Sequence, residues 1–327
     1  MTMTIAARVR TLFRNESPVG LAILLGGFLF GLLSNNYFYI EVMILAAIYA
    51  IFAMSWDILT GYTHEVNFGF AFFIGGAGYI SGICNLRMGL PPYASIVIGA
   101  LAAGLAGLLI GYLTLRLKGP YFAMVTLAFA SILFKLTFLL YEYTGGEEGI
   151  SGLTGLTRDP LYDFLLVWFI TALIYLVLRA YAGSKHGYIL KAIRADEDAA
   201  QSSGINTAYY KIEAFAISGL LGGIGGGLFA HTQMQIGPTM LSGYISIVVV
   251  LLAMIGGMGT IVGPLIGAVT LHLLNDFLRV IEEYRIVTYS GLLILFIYLA
   301  PDGLVNLNAI RKSRTLSFLF LGQRKAE

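Results

Sequence analysis

Long apolar stretches, separated by short polar segments, run through almost the entire chain. Each stretch is close to the roughly 20 residues that an α-helix needs to cross the hydrocarbon core of a bilayer. Because lipid cannot satisfy backbone N–H and C=O groups, such stretches fold as helices with internal hydrogen bonds. Composition agrees, since only 12% of the residues are charged, about half the share in an average soluble domain. The sequence therefore predicts an all-α, polytopic bundle of membrane helices.

The 327 residues accommodate about ten spans with short loops. A transmembrane domain over 19–302 is preceded by a segment at 1–18 and followed by a basic tail at 303–327. The two spans that meet near Gly263 are so closely spaced that two half-helices are the alternative. The predicted spans are 19–34, 38–60, 66–84, 93–116, 120–141, 163–182, 212–234, 243–262, 263–279 and 286–302.

The distribution of lysine and arginine predicts that both termini are cytoplasmic. Ten spans put both ends on one side, and fourteen basic residues outside the spans fall on that side against four on the other. Short loops rich in Lys and Arg stay in the cytoplasm. No small-residue cleavage site follows the first apolar run, so we expect a retained helix rather than a signal peptide.

Motifs for catalysis are absent from the sequence. It has no phosphate-binding G-x-x-x-x-G-K-[ST] loop, no H-E-x-x-H pair and no G-x-S-x-G elbow. The single cysteine, Cys84, excludes a disulfide framework and a thiolate metal site, and the four histidines are scattered. We therefore predict no catalytic residue and no metal ligand. A secondary transporter is disfavoured by the few intramembrane carboxylates, whereas a passive small-solute channel is an open alternative.

Charge is concentrated in the longest predicted cytoplasmic loop, at about 183–211. Its segment GYILKAIRADEDAAQSSGI, at 187–205, contains good helix formers and no proline, which predicts a short helix on the membrane face. The charged side chains of that helix would face water or another protein. A solvated connector is the alternative. The predicted apolar stripe of the helix consists of Ile189, Leu190, Ile193 and Ala200.

Part of this loop resembles a known signature. Asp198 to Gly204 reads DAAQSSG, similar to the E-A-A-x-x-x-G of the coupling helix in ABC importer permeases, with Asp in place of Glu and without the usual I-x-L-P tail. Five ordered blocks extend the resemblance over nearly all of Tyr49 to Gly303, and together they resemble the LivM-type permease family of branched-chain amino-acid ABC importers. His64, Glu65 and Phe70 depart from the family pattern. The blocks are LTGYTHEVNFGFAFFIGGAGY, LRLKGPYFAMVTLAFASILF, TGGEEGISGL, KIEAFAISGLLGGIGGGLFAH (with the loop before it) and GGMGTIVGPLIGAV.

The resemblance implies a function and a set of partners. A LivM-type permease translocates leucine, isoleucine and valine while two cytosolic ATPase subunits hydrolyse ATP, so this chain itself would bind no cofactor. A paralogous, LivH-like second permease and an extracytoplasmic binding protein complete the importer. The implied location is the inner (cytoplasmic) membrane of a prokaryote. Related importers carry urea or short amides, which is the alternative substrate class.

The resemblance also assigns roles within the charged helix. The helix would lie in a cleft of an ATPase subunit, with Arg194, Asp196 and Asp198 fixing its register and its apolar face on the membrane domain. Gly204 would permit the turn into the next span. The residues assigned to ATPase coupling are Arg194, Asp198, Ala199, Ala200 and Gly204.

Glycines spaced by four, such as Gly223 with Gly227, favour close helix packing. Two further glycine clusters fall in the third and around the eighth predicted span, which would be corresponding positions if the chain were a 5+5 inverted repeat. Broken helices there would offer free N–H and C=O groups to an amino acid in transit. The candidates for the translocation path are Asn67, Gly69, Gly75, Gly76, Gly78, Tyr79, Gly256, Gly257 and Gly259.

The predicted extracytoplasmic loop at 142–163 carries five acidic residues against one arginine. Opposite charges steer protein partners and fix their register. Glu147 and Glu148 are therefore candidates for docking the binding protein, with a merely solvated loop as the alternative.

Ionisable residues inside predicted spans each require an explanation. We expect interfacial water or snorkelling to satisfy Asp57 and Arg179 near span ends. Lys135, within the fifth span, would either snorkel outward or pair with a neighbouring helix. His231 and His272 are predicted to be hydrogen-bond partners between helices rather than proton carriers.

Overall fold

A computed structural model describes residues 18–34, 36–114, 117, 119–278, 284–299, 303 and 304. Thirteen α-helices form in this part of the chain. They are α1 Pro18–Leu33, α2 Tyr37–Thr63, α3 Ala71–Met88, α4 Pro92–Thr114, α5 Pro120–Leu139, α6 Tyr141–Thr144, α7 Pro160–Ala182, α8 Lys185–Ala195, α9 Glu197–Ser202, α10 Thr207–Thr232, α11 Gly243–Gly256, α12 Val262–Phe277 and α13 Arg285–Leu299.

Each of the ten predicted segments contains a helix, but the helices differ in length. Five of the described helices, α2, α4, α5, α7 and α10, are long and apolar enough to cross a membrane. Helices α1, α11 and α12 have 14 to 16 residues, or about 21–24 Å at 1.5 Å per residue, which is less than the roughly 30 Å hydrocarbon core. The chain is thus a polytopic helical membrane protein. Ten full spans, the inverted repeat and the side of the termini stay predictions, and 1–17 and 305–327 lie outside the described residues.

The core of the bundle is built around α2, which packs against α7, α10 and α12. Phe52 and Met54 are fully buried and Trp56 is 1% exposed. A helix that is apolar on all sides and buried on all sides is the central element of a bundle. The functional site described below is attached to its C-terminal end.

Glycines allow the helices around α2 to approach closely. A Cβ added at Gly27 of α1 would lie 2.2 Å from the Trp168 ring of α7, and a Cβ at Gly107 of α4 would lie 2.6 Å from the Phe215 carbonyl oxygen of α10. Both separations are too short for any side chain larger than hydrogen. The predicted role of the spaced glycines in helix packing is confirmed at these positions.

The third predicted span begins at the wrong residue. Instead of a helix from 66, residues 64–70 are irregular, and α3 begins at Ala71. Side chains from other helices satisfy this buried backbone: Phe68 N–H donates to Thr126 Oγ1 (3.2 Å) and Ala71 N–H to Ser246 Oγ (2.9 Å). Irregular backbone is tolerated at membrane depth only where protein or a cavity surrounds it.

Helices α11 and α12 form an antiparallel hairpin around residues 257–261. A Cβ at Gly256 would lie 1.8 Å from the Gly263 carbonyl oxygen, and a Cβ at Gly267 would lie 2.0 Å from that of Leu252. Contacts in this reverse order bring the two short helices side by side. The pair has the lengths expected of half-helices, and its break is centred on Gly259 rather than Gly263.

A small polar cluster lies at the C-terminal end of α10. Strand β1, Ile150–Ser151, pairs antiparallel with β2, Gln235–Ile236, so the described fold is helical except for this short ladder. His231 is fully buried beside it, with Nε2 3.0 Å from Ser81 Oγ and Nδ1 2.7 Å from the Thr154 carbonyl oxygen. The prediction that His231 is an interhelical hydrogen-bond partner is confirmed.

Candidate functional site

The charged loop forms two helices rather than the one that the sequence predicts. Helix α8 ends at Ala195, and the extended Asp196 (φ −161°, ψ 107°) interrupts it. Asp196 then begins α9, because its Oδ1 accepts from Ala199 N–H at 2.9 Å and an Asp at the N-cap stabilises a helix start. Asp196 is thus a capping residue between α8 and α9.

The apolar stripe of the loop is confirmed. Leu190, Ile193 and Ala200 are buried, with exposures of 0%, 3% and 6%, and Ile189 is partly buried against the core. Helix α8 contacts α2, α7 and α10 through this stripe. The α8–α9 segment therefore lies flat on the end of the bundle with its apolar side inward.

A buried ion-pair cluster fastens α9 to the bundle. Lys211, in the first turns of α10, donates to Glu65 Oε1 at 2.9 Å and to Glu197 Oε2 at 2.8 Å. The side chains of Lys211, Glu65 and Glu197 are only 9%, 10% and 18% exposed. One ammonium thereby joins the irregular segment after α2, the start of α10 and helix α9.

Asp57 forms a second connection, to the α11–α12 hairpin. Its carboxylate is fully buried and accepts from the backbone N–H groups of Gly259 (2.7 Å) and Ile261 (3.3 Å). The expectation that interfacial water satisfies Asp57 is therefore wrong. Backbone donors in the hairpin loop solvate this carboxylate instead, as buried charges require.

Arg194 completes the connection from the side of α8. Its Nη1 donates to the Gly61 carbonyl oxygen at the C-terminal end of α2. A Cβ at Gly259 would lie 2.3 Å from the same nitrogen. The guanidinium thus binds the membrane domain, because the last carbonyl groups of a helix attract a cation. Its predicted role against an ATPase stays a prediction.

These contacts converge on one region, which we call the junction: Asp57, Gly61, Glu65, Arg194, Glu197, Lys211 and Gly259. It links α8 and α9 to α2, α10 and the α11–α12 hairpin. Directional charged contacts resist separation of the groups that they join. A displacement of α8–α9 would therefore move these three elements with it.

The other coupling candidates lie on the outer side of α9 and the following turn. Asp198, Ala199 and Gly204 are exposed, whereas Ala200 packs inward. Gly204 has φ 82°, a conformation that glycine adopts without strain. The turn into α10 thus occurs at Gly204, as predicted.

The path candidates of α3 and the segment before it are distributed over several contacts. A Cβ at Gly69 would lie 1.9 Å from the Thr126 carbonyl oxygen of α5, one at Gly75 2.6 Å from Leu241, and one at Gly78 2.9 Å from Ile236. These three glycines therefore permit close packing of neighbouring elements.

Gly76 and Tyr79 differ, because they line a mainly apolar cavity of about 300 Å³ between α3, α4 and α5. Asn67 is 1% exposed and its Oδ1 accepts from Gly69 N–H at 2.8 Å. Within the described part of the chain, Asn67 Nδ2 and the Tyr79 hydroxyl have no hydrogen-bond partner. Both stay candidates for contact with a solute.

The second glycine cluster does not join the first. Gly256 packs inside the α11–α12 hairpin, Gly257 has φ 120°, and Gly259 contacts Gly61 of α2. The loop between α11 and α12 thus belongs to the junction. The sequence instead predicts a broken helix at the bilayer midplane for this glycine cluster.

Glu147 and Glu148 are both exposed in the turn before β1. Two other acidic residues of the same loop have local roles: Asp159 Oδ1 accepts from Leu161 N–H at the start of α7, and Asp163 Oδ1 accepts from Thr157 Oγ1. The accessible negative charge of this loop is therefore at Glu142, Glu147 and Glu148.

No group of three or more His, Cys, Asp or Glu side chains with metal-binding geometry occurs among the described residues. The junction contains carboxylates, and Lys211 binds Glu65 Oε1 and Glu197 while backbone N–H groups bind Asp57. The arrangement is suited to transmitting movement rather than to bond-making chemistry.

Comparison with known proteins agrees with this geometry. The family model described as "Branched-chain amino acid transport system / permease component" matches residues 38–300. The chain belongs to this family. Branched-chain amino-acid transport permeases are transport components, so the family is not one of enzymes.

Curated relatives are similar over most of the chain. The high-affinity branched-chain amino-acid transport system permease protein LivM of Escherichia coli is 28% identical over 296 residues, covering 81% of this chain and 69% of that protein. The probable LivM of Methanocaldococcus jannaschii is 22% identical, covering 71% and 75%. A fructose import permease protein of Rhizobium meliloti is 26% identical, covering 66% and 64%. No solved structure matches the chain significantly.

Sequence reasoning missed four of the residues that build the junction, Gly61, Glu65, Glu197 and Lys211. One signal was visible, because Glu65 departs from the family pattern at a place where an unpaired buried carboxylate would be costly. Lys211 supplies the cation that this carboxylate requires.

Proposed function

We propose that this chain is a transmembrane permease subunit of a binding-protein-dependent ABC importer that translocates branched-chain amino acids. Partner ATPase subunits would supply the energy. The observation that carries the proposal is the α8–α9 segment, whose outer side is exposed and carries charges of both signs while its inner side is fastened to three bundle elements. A passive channel has no need of such a segment.

The proposed mechanism is a rigid-body transfer of movement. An ATPase cleft would receive α9 and its exposed Asp198 and Ala199. Closure of the ATPase pair on ATP would push α8–α9, and the junction would carry the displacement to α2, α10 and the α11–α12 hairpin. Such rocking of packed helices opens a central path to one side and then to the other.

The proposed importer contains four further components. They are a second permease subunit, two ATPase subunits and an extracytoplasmic binding protein. At the opposite end of the bundle, Glu147 and Glu148 offer negative charge to the binding protein. Charge complementarity there would speed docking and fix its register.

The proposed substrates are leucine, isoleucine and valine. Support comes from the family and from the names of the LivM relatives. The alternatives are urea or short amides, and a sugar, because fructose and ribose import permeases are also among the relatives at 26% identity.

Transport in proteoliposomes tests the proposal. The chain is reconstituted with the second permease and ATPase subunits of the proposed importer, and uptake of labelled leucine, urea or ribose is measured with the cognate binding protein. We expect leucine uptake that requires both ATP and the binding protein. Uptake of urea or ribose alone would change the substrate, and leucine flux without ATPase subunits would establish a channel or secondary carrier.

A further inference from the structure

Helix α5 is the least buried of the long apolar helices. Only 22% of its most apolar stretch is buried, against 44% for α4 and for α7. It contacts the bundle through Phe122, Thr126 and Phe129, while the cavity of about 300 Å³ lies between its C-terminal half and the helices α3 and α4. Most of the surface of α5 is therefore available to something outside this chain.

One stripe on the exposed face of α5 is interrupted by small and polar residues, beside the large apolar side chains of Leu127, Ile132, Leu136 and Leu139. Met124, Ala128, Ser131, Lys135 and Phe138 follow one another at spacings of three and four and are all exposed, so they form one stripe. We call it the α5 stripe. Its middle consists of a small residue, a hydroxyl and a charge.

Two other helices of the same chain provide an internal comparison. The exposed stripes of α4 and α7 consist of large apolar side chains, as contact with acyl chains requires. Those side chains are Leu101, Leu105, Leu108 and Tyr112 on α4, and Phe169, Leu173, Leu176 and Val177 on α7.

Lys135 is the decisive residue of the stripe. Ionisable side chains within membrane segments face protein or water rather than lipid, and within the described part of the chain no ion-pair or hydrogen-bond partner is found for it. Snorkelling would carry the Lys135 ammonium past Leu139 toward the end of the helix. It does not explain why Ala128 and Ser131, deeper in the span, are small rather than large and apolar. Ala128, Ser131 and Lys135 line one side of an open groove whose other side is formed by Ile132, Leu136 and Leu139, a shape into which a closely approaching helix fits.

We propose that the α5 stripe is the binding surface for a second, different membrane subunit, which presents a carboxylate or carbonyl acceptor to Lys135. This inference rests on the proposed function, because an importer of that kind contains such a second subunit. Two identical copies joined through α5 around an axis along the membrane normal would place Lys135 opposite Lys135. Like charges repel strongly where water is scarce, so the charge favours a heterologous partner over a second copy.

Site-specific photo-crosslinking tests the proposal in membranes. The photoreactive residue p-benzoylphenylalanine replaces Ser131 in the α5 stripe or, as the matched control, Leu173 in the α7 stripe. The second permease subunit of the proposed importer is co-expressed with a tag. We expect an adduct between the two subunits from position 131 and none from position 173.

Substitutions at Lys135 test the charge itself. Lys135→Met should lower the adduct yield about tenfold, the effect of losing one polar interhelical contact, and Lys135→Arg should retain it.

An adduct between two copies of this chain, or only lipid adducts from position 131, would overturn the proposal. An unchanged yield with Lys135→Met would overturn the assigned role of the lysine. ATP-driven uptake without the adduct would leave the transport function standing, whereas an adduct without ATP-driven uptake would refute that function alone.

Discussion

Replacing Lys211 by methionine removes the one ammonium between Glu65 and Glu197. Methionine has a similar length and fits a partly buried position. The Glu65 carboxylate, 10% exposed, then stays in the bundle without its cation, 2.9 Å from where the ammonium was. The change isolates the charge because little volume is lost.

The expected loss of stability follows from the burial of the cluster. Removing one partner of a buried ion pair costs about 3–5 kcal/mol, because the other charge is left uncompensated. At about 2–3 °C per kcal/mol for a chain of this length, the apparent melting temperature should fall by roughly 6–15 °C. The effect would be smaller only if Glu65 were reached by water.

Thermal denaturation of the purified chain in detergent measures this loss. The matched control is the double variant Lys211→Met with Glu65→Gln, which removes both charges and should recover more than half of the decrease. A single variant as stable as the parent would refute the cost assigned to the cluster. A double variant no more stable than the single one would show that packing, rather than charge, explains the loss.

Three further predictions concern the junction and the two ends of the bundle. Gly259→Val should uncouple ATP hydrolysis from uptake, since its Cβ would lie 2.3 Å from Arg194 Nη1; the ratio of uptake to hydrolysis measures this. Gly204→Pro and Ala200→Asp should each reduce uptake about tenfold or more while the protein still inserts. The φ of 82° at Gly204 excludes proline, and Ala200→Asp would put a charge into a buried site. Normal uptake in both variants would remove the coupling role. Glu147→Lys with Glu148→Lys should weaken stimulation by loaded binding protein, increasingly at low salt, and unchanged stimulation would remove the docking role.

The helical segments and their packing could be predicted from the sequence because both follow from local patterns. Apolar length places the helices, and glycines such as Gly107 mark close contacts. The amphipathic pattern of α8 predicts which side of it is buried, and Gly204 at the end of DAAQSSG predicts the turn. Each of these features is marked by a pattern of residues that are near one another in the chain.

Features that depend on distant residues could not be predicted in this way. The sequence predicts a helix from 66, but residues 64–70 are irregular, and the Phe68 N–H group donates to Thr126, 58 residues away. The N–H group of the adjoining Ala71 donates to Ser246, 175 residues away. Glu65 and Lys211 are 146 residues apart, and no local pattern pairs them. The burial of Asp57 likewise depends on a hairpin loop 202 residues away.

The central claim is that α8–α9 couples an ATPase to transport through the junction, and the ratio of leucine uptake to ATP hydrolysis tests it most directly. The ratio is measured in proteoliposomes for the complete importer and for the same complex with DAAQSSG replaced by GSGSGSG. The account predicts hydrolysis that no longer responds to leucine-loaded binding protein and uptake reduced to background. Uptake and its stimulation at the level of the unaltered complex would contradict it and return α8–α9 to the status of a connecting loop.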